Sequence, residues 1–480
     1  MTDFQEIKHK SVTGVLALTT RTAFLQIISV IGNFFLTIFL APEEFGVYFL
    51  VSAIVVFLNY FSDVGLAAAL VQKHEVTRED IASTFTIQQI FVVGFSALAL
   101  LFSDAIVSFY NLSADGKFLY QALIIAFILS SLKTIPSILL ERKLDFQKLV
   151  IPQLFEVIAF YGIAVYLAYI GWGVGSFSLA VIARGIIGTV IIYYIQPWMP
   201  QFHINKDSLK KLLSFGIPFQ LNSFLALVKD DLFTLYLGRV LPLAYVGYIG
   251  WAKKWSELPL RLIMDSIVRV TFPTYSRLQG SPEKLTTAIN KTIFFIMLFI
   301  IPISIGMIAT IEPFIDLIPK YEKWNPALLS FYLFVLSSAV AAISTPLVNA
   351  LNALGKIKVT LQLMVIWTVL TWGITPLFIR SYGFNGFAIA SLVISATVFL
   401  VVWLSKKYIR FSLVAQLVPS VVCGLIMSIF LYGARFIFPQ NLLILIIVGV
   451  TSYSLSYILL FKDKIQEEFA TILNVLRVQK

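Results

Sequence analysis

Five residues spaced four apart alternate in charge along one stretch of the chain: Lys253, Glu257, Arg261, Asp265 and Arg269. Lys254 adds a sixth charge beside the first. Four residues advance a helix by about 400°, so these side chains stand nearly above one another on one face. The stretch lies where the chain should be crossing a bilayer. At a bilayer centre each charge costs about 2.5–3.5 kcal/mol on insertion scales, so six facing lipid would cost about 15–20 kcal/mol. The face is therefore expected to line a polar, hydrated interior. A membrane protein with such an interior binds or moves something charged.

Further ionisable residues fall inside apolar runs. They are Arg21 (among Thr19, Thr20, Thr22 and Gln26), Asp63, Lys133, Glu156, Arg184 and the triplet Lys229, Asp230 and Asp231. With the six above, basic residues outnumber acidic ones eight to six. Arginine suits a pyrophosphate, because its planar fork donates two bonds to adjacent oxygens and stays protonated. Arg21, Arg184, Lys229, Lys253, Lys254, Arg261 and Arg269 are thus the candidate substrate-binding residues of a cationic cavity. Asp63, Asp230, Asp231, Glu257 and Asp265 are candidates for cation or proton coupling, or for plain charge pairing. The blander reading is that Lys253/Glu257 and Arg261/Asp265 neutralise each other and hold one helix against the next. Buried pairs are often no better for stability than apolar packing, so a stack of them favours a wet cavity. Asp63 has two modest alternatives, pairing with Arg21 or capping local structure before Gly65. Trp172, Trp198, Trp251, Trp324 and Trp403 fall near expected span ends and read as interface anchors. Stacking on a sugar is a lesser role for Trp251 or Trp255. Pro259, inside the charged stretch, is the best hinge candidate.

The elements that must position these residues are membrane helices. The 480 residues are 59% hydrophobic and only 13% charged, which excludes a soluble domain. Runs of about 20 apolar residues give fourteen spans, among them 13–40, 45–70, 118–140, 149–170, 175–197, 211–238, 243–275 and 384–404. The expected fold is an all-α integral membrane protein. Loop charge supports that count: with these spans 21 Lys and Arg fall on one side and 6 on the other. Both termini are then cytoplasmic by the positive-inside rule. No A-x-A cleavage site follows the first apolar run. The single cysteine, Cys423, reads as a packing residue, and His9, His74 and His203 lack metal-ligand spacing. No metal and no cofactor are expected.

The chain also repeats itself. Leu129-Ser130-Ser131 recurs as Leu336-Ser337-Ser338, Pro136 as Pro346 and Gly173 as Gly383, in one order and at nearly one offset. Pro42 and Gly46 likewise resemble Pro242 and Gly247. Two six-helix lobes of shared orientation follow, residues 1–200 and 201–410, with a site between them, and two C-terminal helices within 411–480.

Three stretches carry a family resemblance. Phe61–Gln72, with Ser62-Asp63-Val64-Gly65, resembles a recurrent stretch of bacterial polysaccharide flippases. So do Leu40–Tyr48, with Pro42-Glu43-Glu44-Phe45-Gly46, and the turn Glu141-Arg142-Lys143-Leu144-Asp145-Phe146. Over its whole length the chain resembles Wzx-type flippases of the multidrug/oligosaccharidyl-lipid/polysaccharide exporter superfamily, near the teichuronic- and colanic-acid exporters. The resemblance implies translocation of an undecaprenyl-pyrophosphate-linked oligosaccharide across the bacterial cytoplasmic (inner) membrane by alternating access, with Na+ or H+ coupling in some relatives. Membrane lipids and polysaccharide polymerase or assembly proteins are the other expected partners; nucleic acid is not one. The resemblance brings no site residues, which rest on the charge map alone.

Two other functions compete. A cation-coupled multidrug exporter of the same superfamily would favour an acidic, aromatic cavity, against the basic excess here. A membrane-embedded polysaccharide polymerase or ligase usually needs a sizeable outer loop, and the longest here, 104–117 and 312–325, have only about 14 residues.

Overall fold

The structure is a computed structural model, and it describes residues 24–467. Helices make up almost all of it, and no strand occurs among the described residues. The first is α1 (Phe24–Phe39). There follow α2 (Pro42–Asp63), α3 (Leu66–Gln72), α4 (Arg78–Leu101), α5 (Ser103–Phe109), α6 (Ala114–Leu132), α7 (Thr134–Arg142), α8 (Phe146–Tyr169), α9 (Gly175–Ile195) and α10 (Lys206–Val240). Then come α11 (Leu243–Leu278), α12 (Pro282–Leu317), a 3-10 turn (Glu322–Ala327), α13 (Leu328–Ala353), α14 (Ile357–Tyr382), α15 (Asn385–Ser395), α16 (Val398–Lys406), α17 (Leu413–Ile437) and α18 (Leu442–Leu460).

Among the described residues, 11 helices are long and apolar enough to cross a membrane. The chain is a multi-pass membrane protein. Large apolar side chains such as Val190, Val369, Phe399 and Ile429 stand exposed on its helices, as lipid contact requires. The charge-rich α10 and α11 are not among the 11. Their length, 35 and 36 residues, still exceeds the ~20 needed to span.

Short polar signals start the helices. Pro42 opens α2, and Glu44 accepts the Ala41 N–H at 2.6 Å. Thr77 and Asp80 satisfy each other's backbone N–H groups at the start of α4, at 2.9 and 3.2 Å. Asn205 accepts from Asp207 and Ser208 at the start of α10.

Some spans read as single helices are broken. The run 45–70 divides at Val64 and Gly65, both left-handed at φ 48° and 74°. The run 118–140 bends at Lys133, and 384–404 divides between α15 and α16. At the first break the backbone of Gly216 on α10 stands where a Cβ of Gly65 would go. Gly65→Ala therefore meets both the left-handed penalty of about 1–2 kcal/mol and a main-chain obstacle. A loss of stability of about 2 kcal/mol or more is expected, read as a lowered midpoint of thermal unfolding in detergent.

The chain divides into two compact units, Met1–Gly247 and Tyr248–Lys480. In the first unit α9 packs on α8 and α6, while α10 lies along α2 and α3. The repeat noted in the sequence meets itself within this unit. A Cβ on Gly46 would strike the carbonyl of Leu243, and one on Gly247 would strike the carbonyl of Pro42. The starts of α2 and α11 thus cross main chain to main chain in a reciprocal contact. In the second unit α12 packs on α13 and α17, and α17 on α18. Its core joins Tyr275, Ile289, Ile293, Leu347 and Leu363, with a second cluster around Phe294, Cys423, Met427 and Tyr457.

Packing corrects one sequence reading. Trp251 and Trp324 are not interface anchors. They are 2% and 0% exposed and stack on each other at 5.2 Å, because Trp251 lies two turns inside α11 rather than at its end. Pro259, the hinge candidate, lies inside α11, which continues on both sides of it. Trp172 and Trp403 are exposed, in keeping with an interfacial place.

Candidate functional site

In the first unit one glutamate sits between two cations contributed by neighbouring helices. Glu156 on α8 is 7% exposed. Its Oε1 lies 2.6 Å from Nζ of Lys133, at the α6–α7 bend. Its Oε2 lies 3.5 Å from Nε of Arg184 on α9. The carboxyl can lie so close to α9 because residue 188 is glycine; a Cβ there would collide with it. Arg184 and Glu156 each lie on the opposite side of the helix from exposed apolar residues. Ile186 and Val190, the exposed apolar residues nearest Arg184, lie about 200° and 240° round α9 from it. Ile151 and Ile158 stand comparably opposite Glu156 on α8. The half-exposed Arg184 side chain therefore does not face lipid with them. Phe160 lies beneath its guanidinium at 6.0 Å, and Tyr48 stacks on Phe177 at 4.2 Å alongside.

In the second unit the α11 ladder repeats this chemistry within one helix. Glu257 lies 3.0 Å from Arg261 and 3.9 Å from Lys253. The Lys253 ammonium is also 5.8 Å from the Phe387 ring on α15. Arg261 is 68% exposed and Lys254 is exposed, so the cations present themselves outward from the ladder. Arg21 lies outside the described residues. Asp265 and Arg269 are on α11, but their side chains lie outside the described set.

On α10, Lys229 pairs with Asp230 at 3.0 Å, and Asp231 is half-buried beside them. Asp63 does local work: its carboxylate accepts the Ala67 N–H at 3.1 Å and closes the α2–α3 break. This is the local-capping role among its sequence readings; Arg21, its other expected partner, lies outside the described residues. No group of three or more His, Cys, Asp or Glu gathers to hold a metal among the described residues.

The second unit also holds an apolar groove of about 610 Å³ between α12, α17 and α18. Pro302, Gly306, Gly449, Met427 and Tyr453 line it, the small residues providing its depth. Near one end, Glu312 on α12 accepts the Tyr332 hydroxyl at 2.6 Å and pairs with Arg435 on α17. This cluster ties α12, α13 and α17 together.

Residues 35–329, more than half of the chain, match the family described as "Polysaccharide biosynthesis protein". The chain belongs to that family. Relatives of this chain include the Escherichia coli (strain K12) "Lipopolysaccharide biosynthesis protein WzxC", 21% identical over 76% of this chain and 74% of its own. A Klebsiella pneumoniae "Uncharacterized membrane protein in cps region" is 23% identical over 67% of each chain. The Rhizobium meliloti (strain 1021) "Succinoglycan biosynthesis transport protein ExoT" is 21% identical over 74% of this chain and 73% of its own. Among solved structures, "Lipid II flippase MurJ, inward closed conformation" superposes with a TM-score of 0.77, covering 94% of this chain and all of that one at 17% identity. A multidrug resistance MATE family transporter of the MOP superfamily, inward-facing, gives 0.60 at 14% identity. This chain shares their fold.

Charge mapping found Arg184 but did not place Lys133 or Glu156 among the candidate residues. The signal was present: each is a lone ionisable residue in an apolar run. What the sequence hides is that all three converge, since they come from separate helices.

Proposed function

We propose that this polysaccharide biosynthesis protein is a flippase, a transporter rather than an enzyme. Its cargo is an oligosaccharide linked to a polyprenyl pyrophosphate, carried across the bacterial cytoplasmic membrane by alternating access. The observation that carries the reading is the surplus of cations on otherwise apolar helices: Lys133 and Arg184 around Glu156, and Lys253 and Arg261 around Glu257, with Lys254 beside Lys253 in the chain. Such clusters suit a pyrophosphate and a glycan, neither of which crosses hydrocarbon. The apolar groove of the second unit suits an isoprenoid chain, which cannot enter water. Family membership and the printed functions of the E. coli and Rhizobium relatives support the same cargo class.

The organisation that goes with this reading is fourteen spans, two six-helix lobes plus a C-terminal pair, and both termini in the cytoplasm. Asp230, Asp231 and Asp265 are the carboxylates proposed for Na+ or H+ coupling. The test is reconstitution in vesicles carrying a polyprenyl-pyrophosphate oligosaccharide in the inner leaflet, with an impermeant glycosidase outside. Protein-dependent loss of glycan protection is expected. Persistent protection would overturn the reading; growth of the glycan chain would make the protein a polymerase, and uptake of cationic dyes a drug exporter.

A further inference from the structure

We propose that the Lys133, Glu156 and Arg184 cluster is a phosphate subsite, in which Glu156 is a resident anion that holds the two cations in place until a substrate phosphate displaces it from Arg184. The inference rests on the flippase reading and assigns one of its contacts.

The two arms of the cluster are unequal. Lys133 grips Glu156 at 2.6 Å and is mostly covered, at 17% exposure. Arg184 approaches only through Nε, at 3.5 Å, and its side chain is 48% exposed. Its terminal nitrogens make no hydrogen bond among the described residues. A guanidinium held by one edge, with its fork open, presents the geometry that binds two oxygens of a phosphate. The ring of Phe160 beneath it restricts water on one face. One carboxylate between two cations also leaves the cluster one positive charge in excess, so a monoanionic oxygen completes its neutralisation.

A purely structural ion pair would be built differently. A structural partner for Lys133 alone needs no second cation, and an Arg184 present for packing would be buried or bidentate. Here Glu156 is fixed from below by α9, since Gly188 leaves no room for any side chain under its carboxyl. It therefore keeps Lys133 when Arg184 turns to a ligand. The long Arg184 contact is the one that yields, and the short Lys133 contact is the one that stays. The carboxylate thereby opposes ligand binding as well as organising the site, which favours release after translocation.

The test is equilibrium binding of a polyprenyl pyrophosphate to the purified full-length protein in nanodiscs. Glu156→Gln keeps shape and removes the competing charge, so affinity is expected to rise about tenfold, and Arg184→Gln added to it should abolish the gain. Should Glu156→Gln accumulate poorly because Lys133 is left buried beside a neutral partner, Lys133→Met with Glu156→Gln removes both charges. That double variant should bind at least as tightly as the unmodified protein. Unchanged or weaker binding by the folded Glu156 variants, with the unmodified protein binding normally, overturns the subsite and leaves the flippase reading standing. Failure of the unmodified protein to bind the lipid pyrophosphate overturns both.

Discussion

Replacing Arg261 with alanine should cut surface delivery of the glycan by tenfold or more while the amount of protein in the membrane changes by less than about twofold. The two effects separate because they draw on different contacts. Arg261 is 68% exposed and its partner Glu257 is on the same helix, at 3.0 Å. Such an exposed pair contributes only about 0.3–0.5 kcal/mol to stability. A guanidinium bonded to a phosphate contributes about 1.5–3 kcal/mol, or roughly ten- to a hundredfold in affinity. Quantifying exported glycan against an immunoblot of membranes checks both halves. Arg261→Lys should retain part of the activity, as it keeps the charge and loses the two-pronged geometry. Normal export by the alanine variant would remove the α11 ladder from the substrate path.

Trp251→Ala should do the reverse and lower stability first. The indole is 2% exposed and stacks on Trp324 with ring planes 12° apart. Phe331 lies 5.9 Å from it, and its N–H points to the Tyr321 hydroxyl at 3.4 Å. Removing a buried tryptophan costs about 3–5 kcal/mol through lost burial and the cavity left behind. Thermal unfolding in detergent should show a drop of that order, with Trp251→Phe recovering much of it. A change below about 1 kcal/mol would mean that the aromatic cluster is not part of the core.

These two residues show what the sequence could and could not reveal. Arg261 was legible because period-four alternation on an apolar background needs no knowledge of neighbouring helices. Trp251 was misread because an aromatic near an expected span end has two homes, the headgroup layer or the core. The span start at 243 was read correctly, so what decides between them is the packing of Trp251 on Trp324 and Phe331, which come from other elements. The helical character of nearly every span was legible from hydropathy, but the break at Val64 and Gly65 was not, since the run 45–70 reads as one span. The bend at Lys133 and the division of 384–404 were not either, since hydropathy is blind to a single kinked turn. Convergence of Lys133, Glu156 and Arg184 was illegible for a deeper reason. Contacts between helices depend on packing angles, and periodicity within one helix holds no trace of them.

The long pair α11 and α12 reaches beyond the hydrocarbon core of a bilayer. Each has 36 residues, so each rises about 54 Å, against a hydrocarbon thickness of about 30 Å. Even a tilt of about 40° leaves a vertical span of about 41 Å. Tyr275 donates to Thr292 at 2.7 Å near the turn, so the two rods are still fastened together there. At the tip Gly280 is exposed, and a Cβ built on it touches nothing. An epitope tag spliced in at Gly280 should therefore lie outside the hydrocarbon, and antibody access to it in intact versus opened cells would report which compartment the tip occupies.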